Sequence, residues 1–195
     1  MNSVEIIKQL GINAKKAAAE LANIRNEQKN NALYNLKEDL KNFSSEIIRI
    51  NNKDIENAYV MKLSPAMIDR LTLNEDRING MVNCLDEIIN LKDPTGIVLS
   101  EWDRPNGLHI QKISVPLGVI GIIYESRPNV TVDASAIAIK AGNSVILRGG
   151  KDSFYSSQKL YEIINKSFAK AGLPANSVQM VPIADRAAVN AMLQL

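Results

Sequence analysis

The sequence VPLGVIGIIYESRPNVT at residues 115–131 places a long apolar run directly before a cluster of polar residues. The apolar run, 115–124, predicts a strand at the centre of a sheet that is covered on both faces. Pro128 and Asn129 then begin a predicted helix over 130–141, which is apolar on nearly every side and ends at Gly142. A buried strand followed by a buried helix indicates an α/β fold.

The same alternation of strand and helix continues toward the carboxyl terminus. The predicted elements are a strand over 143–147, a turn at Gly149 and Gly150, a helix over 152–171, a strand over 178–183 and a helix from about Asp185. This spacing predicts parallel βαβαβ with right-handed crossovers, a half-sheet of the kind that binds mononucleotides. Because three strands make only half of a doubly wound sheet, we expect one sheet edge to lack its neighbours.

The segment before residue 97 has a different pattern. Over 3–91, apolar residues recur every three or four positions, which predicts helices, and Ser64 with Pro65 is typical of a helix start. The turn-forming sequence DPTG at 93–96 ends this region. Residues 97–114 predict a β-hairpin around Pro105, Asn106 and Gly107. We therefore expect a helical region at 1–96, a hairpin at 97–114 and an incomplete Rossmann-like sheet at 115–195.

Composition excludes several classes of protein. The chain has 195 residues, of which 46% are hydrophobic and 23% charged, as in soluble globular proteins, and a net charge of +2 gives no case for nucleic-acid binding. One cysteine and one histidine exclude an internal disulfide and a His/Cys zinc site, so we expect no metal and a reducing, cytoplasmic location. We also expect no signal peptide and no membrane segment, because no apolar run approaches 20 residues.

Two common nucleotide-binding motifs are absent from the sequence. No G-x-G-x-x-G follows a strand, and the glycines of 118–121 lie inside a predicted strand, where they favour close packing. A P-loop would need glycine where Val145 stands and serine or threonine where Asp152 stands. Any nucleotide must therefore be bound by other means.

Two polar clusters follow the first two predicted strands of the sheet. Arg148, Gly149, Gly150 and Lys151 lie between a strand and a helix, where two cations can hold a ribose phosphate such as the 2′-phosphate of NADP. The alternative is a solvated basic turn.

The second cluster, YESRPN at 124–129, follows the first predicted strand and lies at the mouth of the same expected crevice. Arg127 and Asn129 can donate hydrogen bonds to an anionic substrate or an oxyanion, although Asn129 can instead serve only as a helix cap. Elsewhere we interpret Cys84 as a core or boundary residue, His109 as a surface strand residue and Trp102 as a packing or interface aromatic.

Three stretches resemble the γ-glutamyl phosphate reductase family of the aldehyde dehydrogenase superfamily. They are VPLGVIGIIYESRPNVT at 115–131, KAGNSVILRGGK at 140–151 and AMIDRL at 66–71. The resemblance implies an aldehyde dehydrogenase-type α/β fold and NADPH-dependent reduction of γ-glutamyl phosphate to glutamate 5-semialdehyde in proline biosynthesis.

The resemblance also implies roles for individual residues. It places Arg148 and Lys151, with Gly149 and Gly150, near the adenosine ribose and its 2′-phosphate. Glu125 and Ser126 would pass close to the nicotinamide half. Either Arg127 or Asn129 would lie next to the substrate oxyanion.

The family's nucleophilic cysteine lies in a downstream catalytic domain, and Cys84 does not correspond to it. We therefore expect the chain alone to be inactive. Two alternatives stay open: a subunit of a split reductase that a second, catalytic chain completes, and a non-catalytic binding or assembly module. A homo-oligomer formed through the hairpin is compatible with each.

Overall fold

The computed structural model describes residues 2–183 and 185–195, and the chain begins with five helices. They are α1 (Ser3–Leu21), α2 (Asn26–Asn42), α3 (Ser44–Val60), α4 (Pro65–Leu71) and α5 (Glu75–Asn90). Side chains cap three of them: Asn2 and Glu5 form a capping box on α1, and Ser64 and Asn74 accept backbone N–H bonds at the starts of α4 and α5. The helix start predicted at Ser64 and Pro65 is confirmed. No helix among the described residues is long and apolar enough to cross a bilayer.

The predicted hairpin is also confirmed. Strands β1 (Val98–Asp103) and β2 (His109–Ile113) pair antiparallel, with Trp102 opposite Ile110 and Asp103 opposite His109. The His109 ring bonds the Asp103 carboxylate, with an Nδ1 to Oδ1 distance of 2.8 Å. Nearly every hairpin side chain is exposed, including Trp102 at 40%, so the hairpin buries almost nothing against the described part of the chain.

The remaining elements form the predicted parallel βαβαβ unit. They are β3 (Val119–Ile123), α6 (Val130–Lys140), β4 (Ser144–Arg148), a 3₁₀ turn (Lys151–Ser153), α7 (Phe154–Lys170), β5 (Val178–Met180) and α8 (Arg186–Met192). The strand order is β3-β4-β5, and both pairings are parallel. Gly142 and Gly172, which follow α6 and α7, both have φ of 72°, a left-handed conformation that suits glycine.

One expectation about the sheet is not met within the described residues. The run 115–124 does not form a central strand covered on both faces: within the described residues β3 pairs only with β4, and its side chains alternate between partly buried and exposed. Val119 and Ile123 remain 39% and 43% exposed. The central strand is β4, which is buried on both faces. The apolar side chains of β3 therefore form a surface that the described residues leave partly uncovered.

Helices cover both faces of the sheet. Val145 and Leu147 of β4 point into the main core, with α6, α7 and helices α2 and α5 of the amino-terminal region. Ile146, between them, points to the opposite face and packs with Ile7 of α1 and Ala188 of α8. The amino-terminal helices are thus part of the layers that enclose the sheet.

Buried polar contacts fix these helices in place. Asp54 of α3 caps the start of α7: its carboxylate accepts bonds from the backbone nitrogens of Tyr155 (3.1 Å) and Ser156 (2.8 Å) and from Ser156 Oγ (2.5 Å). Lys29 of α2 is 1% exposed and pairs with Asp93 at 2.7 Å. Both contacts join segments distant in sequence.

Candidate functional site

The two polar clusters that follow β3 and β4 meet at the carboxyl edge of the sheet. Parallel pairing continues to the last residues of both strands, with Ile123 opposite Arg148. One further bond, from the Tyr124 nitrogen to the Arg148 oxygen at 3.1 Å, brings the two loops together. This is the edge at which open α/β sheets bind ligands.

The loops touch through their backbones at Gly150. A β-carbon at position 150 would lie 3.3 Å from the Ser126 nitrogen and 3.4 Å from the Glu125 Cα, so a side chain there would crowd the backbone of the neighbouring loop. The Ser126 hydroxyl donates to Asp152 Oδ2 at 3.3 Å, and Ser126 itself has a φ of 48°. Non-glycine residues in this region carry strain, which the surrounding structure holds in place. The structure thus brings the Glu125–Ser126 backbone against Gly150.

Gly149 makes the second close approach between the loops. A β-carbon at this position would lie 3.3 Å from Tyr124 Oη and 3.5 Å from Ser157 Oγ. The Tyr124 hydroxyl is itself fixed by a 2.7 Å hydrogen bond to Thr131 Oγ1. The pair of glycines therefore lets β4 lead into α7 without pushing the first loop aside.

The two cations of this edge differ in their surroundings. Arg148, the last residue of β4, is partly buried, whereas Lys151 is exposed at the start of the 3₁₀ turn. Lys151 borders a shallow depression of about 490 Å³. The depression is otherwise lined by Asn57, Val60, Met61, Phe154, Tyr155 and Pro182. A single positive charge thus lies beside a mostly apolar, partly aromatic surface.

Arg127 and Asn129 do not line the depression beside Lys151. They line a second cavity, also of about 490 Å³, between the α4–α5 region and the start of α6. The backbone of the first loop contacts Gly150 at Glu125 and Ser126, and the residues that follow reach the second cavity beside α5. The idea that Asn129 serves as a helix cap is also wrong: its side chain makes no cap bond and donates instead to Asp133 Oδ2 at 3.0 Å.

Cys84 of α5 and Asp133 of α6 face this second cavity together. Burial raises the pKa of Asp133, and hydrogen bonds from Asn129 and Cys84 only partly offset that effect. Burial, followed by the charges of Asp133 and Glu87, raises the pKa of the Cys84 thiol. A nucleophilic cysteine needs the opposite, a lowered pKa, so this position does not favour a reactive thiolate. The interpretation of Cys84 as a boundary residue is confirmed.

Sequence reasoning missed the charged residues of α4 and α5 that complete the cavity. They are Asp69, Arg70, Asp76 and Arg77. Arg77 is held by Asp69, through Nη2 to Oδ1 at 2.8 Å and a second bond to the Asp69 carbonyl, and by the Thr72 carbonyl at 2.8 Å. Asp69 and Arg70 belong to AMIDRL at 66–71, and this resemblance was the only sequence signal that pointed to them. Over residues 2–183 and 185–195, no group of three or more His, Cys, Asp or Glu side chains is arranged to hold a metal ion.

Known proteins share both the sequence and this architecture. The γ-glutamyl phosphate reductase of Bartonella henselae is 50% identical over 188 residues, which are 96% of this chain and 46% of the relative. The solved γ-glutamyl phosphate reductase of Thermotoga maritima has a TM-score of 0.94 at 36% identity, covering 96% of this chain and 45% of that one. The Saccharomyces cerevisiae reductase has a TM-score of 0.85 at 32% identity, covering 92% and 46%.

The chain thus spans a little under half the length of these relatives. The profile of the aldehyde dehydrogenase family matches residues 3–194. That match extends over nearly all of the sequence and includes both loops of the carboxyl edge as well as the second cavity. The chain therefore belongs to the aldehyde dehydrogenase family.

Proposed function

We propose that the chain carries the NADPH-binding part of a γ-glutamyl phosphate reductase, which reduces γ-glutamyl phosphate to glutamate 5-semialdehyde and phosphate in proline biosynthesis. The observation that carries the proposal is the contact of the two loops at Gly150, in a chain that is 50% identical over 188 residues to a named reductase. On the same resemblance we propose that it acts in the cytoplasm.

The residues of the carboxyl edge fit a nicotinamide dinucleotide phosphate. Gly150 leaves room where a side chain would crowd Ser126, and Arg148 and Lys151 place positive charge at the same turn. The apolar surface with Phe154 and Tyr155 beside Lys151 suits a flat base next to a ribose phosphate. When bound, NADPH supplies the hydride for the reduction. Lys151 would then favour NADPH over NADH, because only NADPH carries the 2′-phosphate.

The second cavity is the proposed substrate side of the same loop. Glu125 and Ser126 lie against Gly150, whereas Arg127 and Asn129 line the other cavity, so the loop is positioned to contact cofactor and substrate at once. The Arg127 guanidinium and the Asn129 amide can donate to an acyl phosphate or to the oxyanion formed when it is attacked. We propose that the attacking thiolate is not Cys84, because the surroundings of that thiol raise its pKa.

Two uncovered surfaces support a proposal about partners. Within the described residues the outer edge of β3 is unpaired, and the hairpin exposes Leu99, Trp102 and Leu108. Unpaired strand edges are usually covered in folded proteins. We propose that further strands, from the same or a complementing catalytic chain, pair with β3, and that the hairpin joins copies of the protein.

A titration of the purified chain with NADPH and with NADH tests the cofactor assignment. We expect saturable NADPH binding tighter than about 1 mM and weaker binding of NADH. Arg148→Ala should weaken binding of both dinucleotides, whereas Lys151→Ala should selectively weaken NADPH binding. Arg49→Ala, at an exposed position on α3, is the matched control and should bind like the wild type. Absence of NADPH binding by a chain that circular dichroism shows to be folded would refute the proposal.

A further inference from the structure

Two of the three arginines that line the second cavity have no ion-pair partner among the described residues. Arg70 projects from α4 and Arg127 from the loop before α6, and both line the cavity. Neither guanidinium group takes part in an ion pair or hydrogen bond with another described residue, in contrast to that of Arg77, which Asp69 holds at 2.8 Å. The cavity therefore offers two guanidinium groups to an anionic ligand, one from each wall.

The same cavity contains a carboxyl group without a cation. Asp133 is partly buried and accepts a hydrogen bond from Asn129 at 3.0 Å, but no described lysine or arginine pairs with it. A carboxylate that is withdrawn from water without an opposite charge is costly, and burial accordingly raises its pKa. A cationic group of a ligand would supply the missing charge.

Charges of both signs on one cavity suit a ligand that carries both. The α-carbon of a free amino acid bears a carboxylate and an ammonium group, whereas a simple aldehyde or acyl phosphate bears no such pair. We infer that this cavity binds the α-amino-acid end of the γ-glutamyl substrate, with the α-carboxylate on Arg70 and the α-ammonium on Asp133. The inference rests on the proposed reductase function, in which Arg127 and Asn129 are engaged with the reacting end.

Three small probes separate the two contacts. L-Glutamate carries both groups, glutarate lacks the ammonium group, and 4-aminobutanoate lacks the α-carboxylate. Binding of each probe to the chain is measured by titration of amide NMR shifts. We expect L-glutamate to bind about tenfold more tightly than either analogue, the usual effect of one charge-assisted contact.

Two variants assign the contacts to residues. Arg70→Ala should abolish the preference for glutamate over 4-aminobutanoate, because the α-carboxylate loses its contact, and should keep the preference over glutarate. Asp133→Asn should abolish the preference for glutamate over glutarate and should keep the preference over 4-aminobutanoate. Arg70→Lys, which keeps the charge, should restore part of the first preference. Arg104→Ala and Asp103→Asn in the exposed hairpin are the matched controls and should keep both preferences.

The inference fails if wild-type protein shows no preference for glutamate, or if both preferences survive in both variants. NADPH titration of the same samples keeps this failure separate from failure of the proposed function. A chain that binds NADPH but does not discriminate the probes refutes the amino-acid site alone. A chain that discriminates them as expected but binds no NADPH refutes the cofactor assignment and leaves the site standing.

Discussion

At the scale of single residues, the ion pair of Lys29 and Asp93 shows how a buried charge is stabilised. Asp93 Oδ2 lies 2.7 Å from Lys29 Nζ, and its Oδ1 accepts bonds from the Thr95 nitrogen (3.0 Å) and hydroxyl (2.8 Å). Burial acts to raise the pKa of Asp93, but these bonds outweigh it, so the pKa lies below its ordinary value. A group with a lowered pKa contributes stability above its unfolded pKa, about 3.9, and that contribution is lost as the pH falls through the folded pKa.

We therefore expect the free energy of unfolding to fall as the pH drops below about 4, and we expect Asp93→Asn to reduce this dependence. At pH 7 the same variant should lose about 2 to 3 kcal/mol, because it leaves the buried Lys29 ammonium without its partner. Urea unfolding between pH 3 and pH 7 measures both effects. Glu56→Gln, at an exposed position on α3, is the control. An unchanged pH dependence in Asp93→Asn would contradict this account.

At the scale of elements, α3 fixes the position of α7, and α7 begins beside the Gly149–Gly150 turn. Asp54 supplies the α7 cap, and Asn51, one turn earlier, donates to Ser156 Oγ at 2.9 Å. Burial raises the pKa of Asp54, and bonds from Ser156 and Tyr155 only partly offset this. The hydrogen bonds of this cap thus stabilise the start of α7 against the cost of burying the carboxylate.

Asp54→Ala should lower the free energy of unfolding by about 1 to 2 kcal/mol, the usual cost of removing a helix cap. Asp54→Asn keeps an acceptor oxygen and should lose less. Thermal or urea unfolding of the two variants, compared with wild type, measures the difference. Equal stability of Asp54→Ala and wild type would show that α7 does not depend on this contact.

At the scale of the whole molecule, local patterns predicted the order and type of the elements well. The helix start at Ser64, the hairpin and the alternation after residue 115 depend on neighbouring residues, and the structure confirms all three. The meeting of Ser126 with Gly150 was also predictable, because parallel strands bring their carboxyl ends to one edge.

Contacts between segments distant in sequence could not be predicted from local patterns. The apolarity of β3 indicated burial on both faces, but apolarity alone does not say which chain segment does the covering. The cavity that joins Arg70, Cys84 and Asp133 draws on α4, α5 and α6, whose approach no local pattern encodes. The residues of the carboxyl edge were thus predictable from strand order, whereas those of the cavity needed the folded structure.

The central claim is that the two joined loops form the NADPH site, and amide NMR of the chain during an NADPH titration tests it most directly. We expect the largest shift changes at 124–126 and 148–152, with smaller changes at Phe154 and Tyr155 and little change in the hairpin. Saturable changes confined to these segments would support the account. A folded chain whose shifts change elsewhere, or not at all, would contradict it.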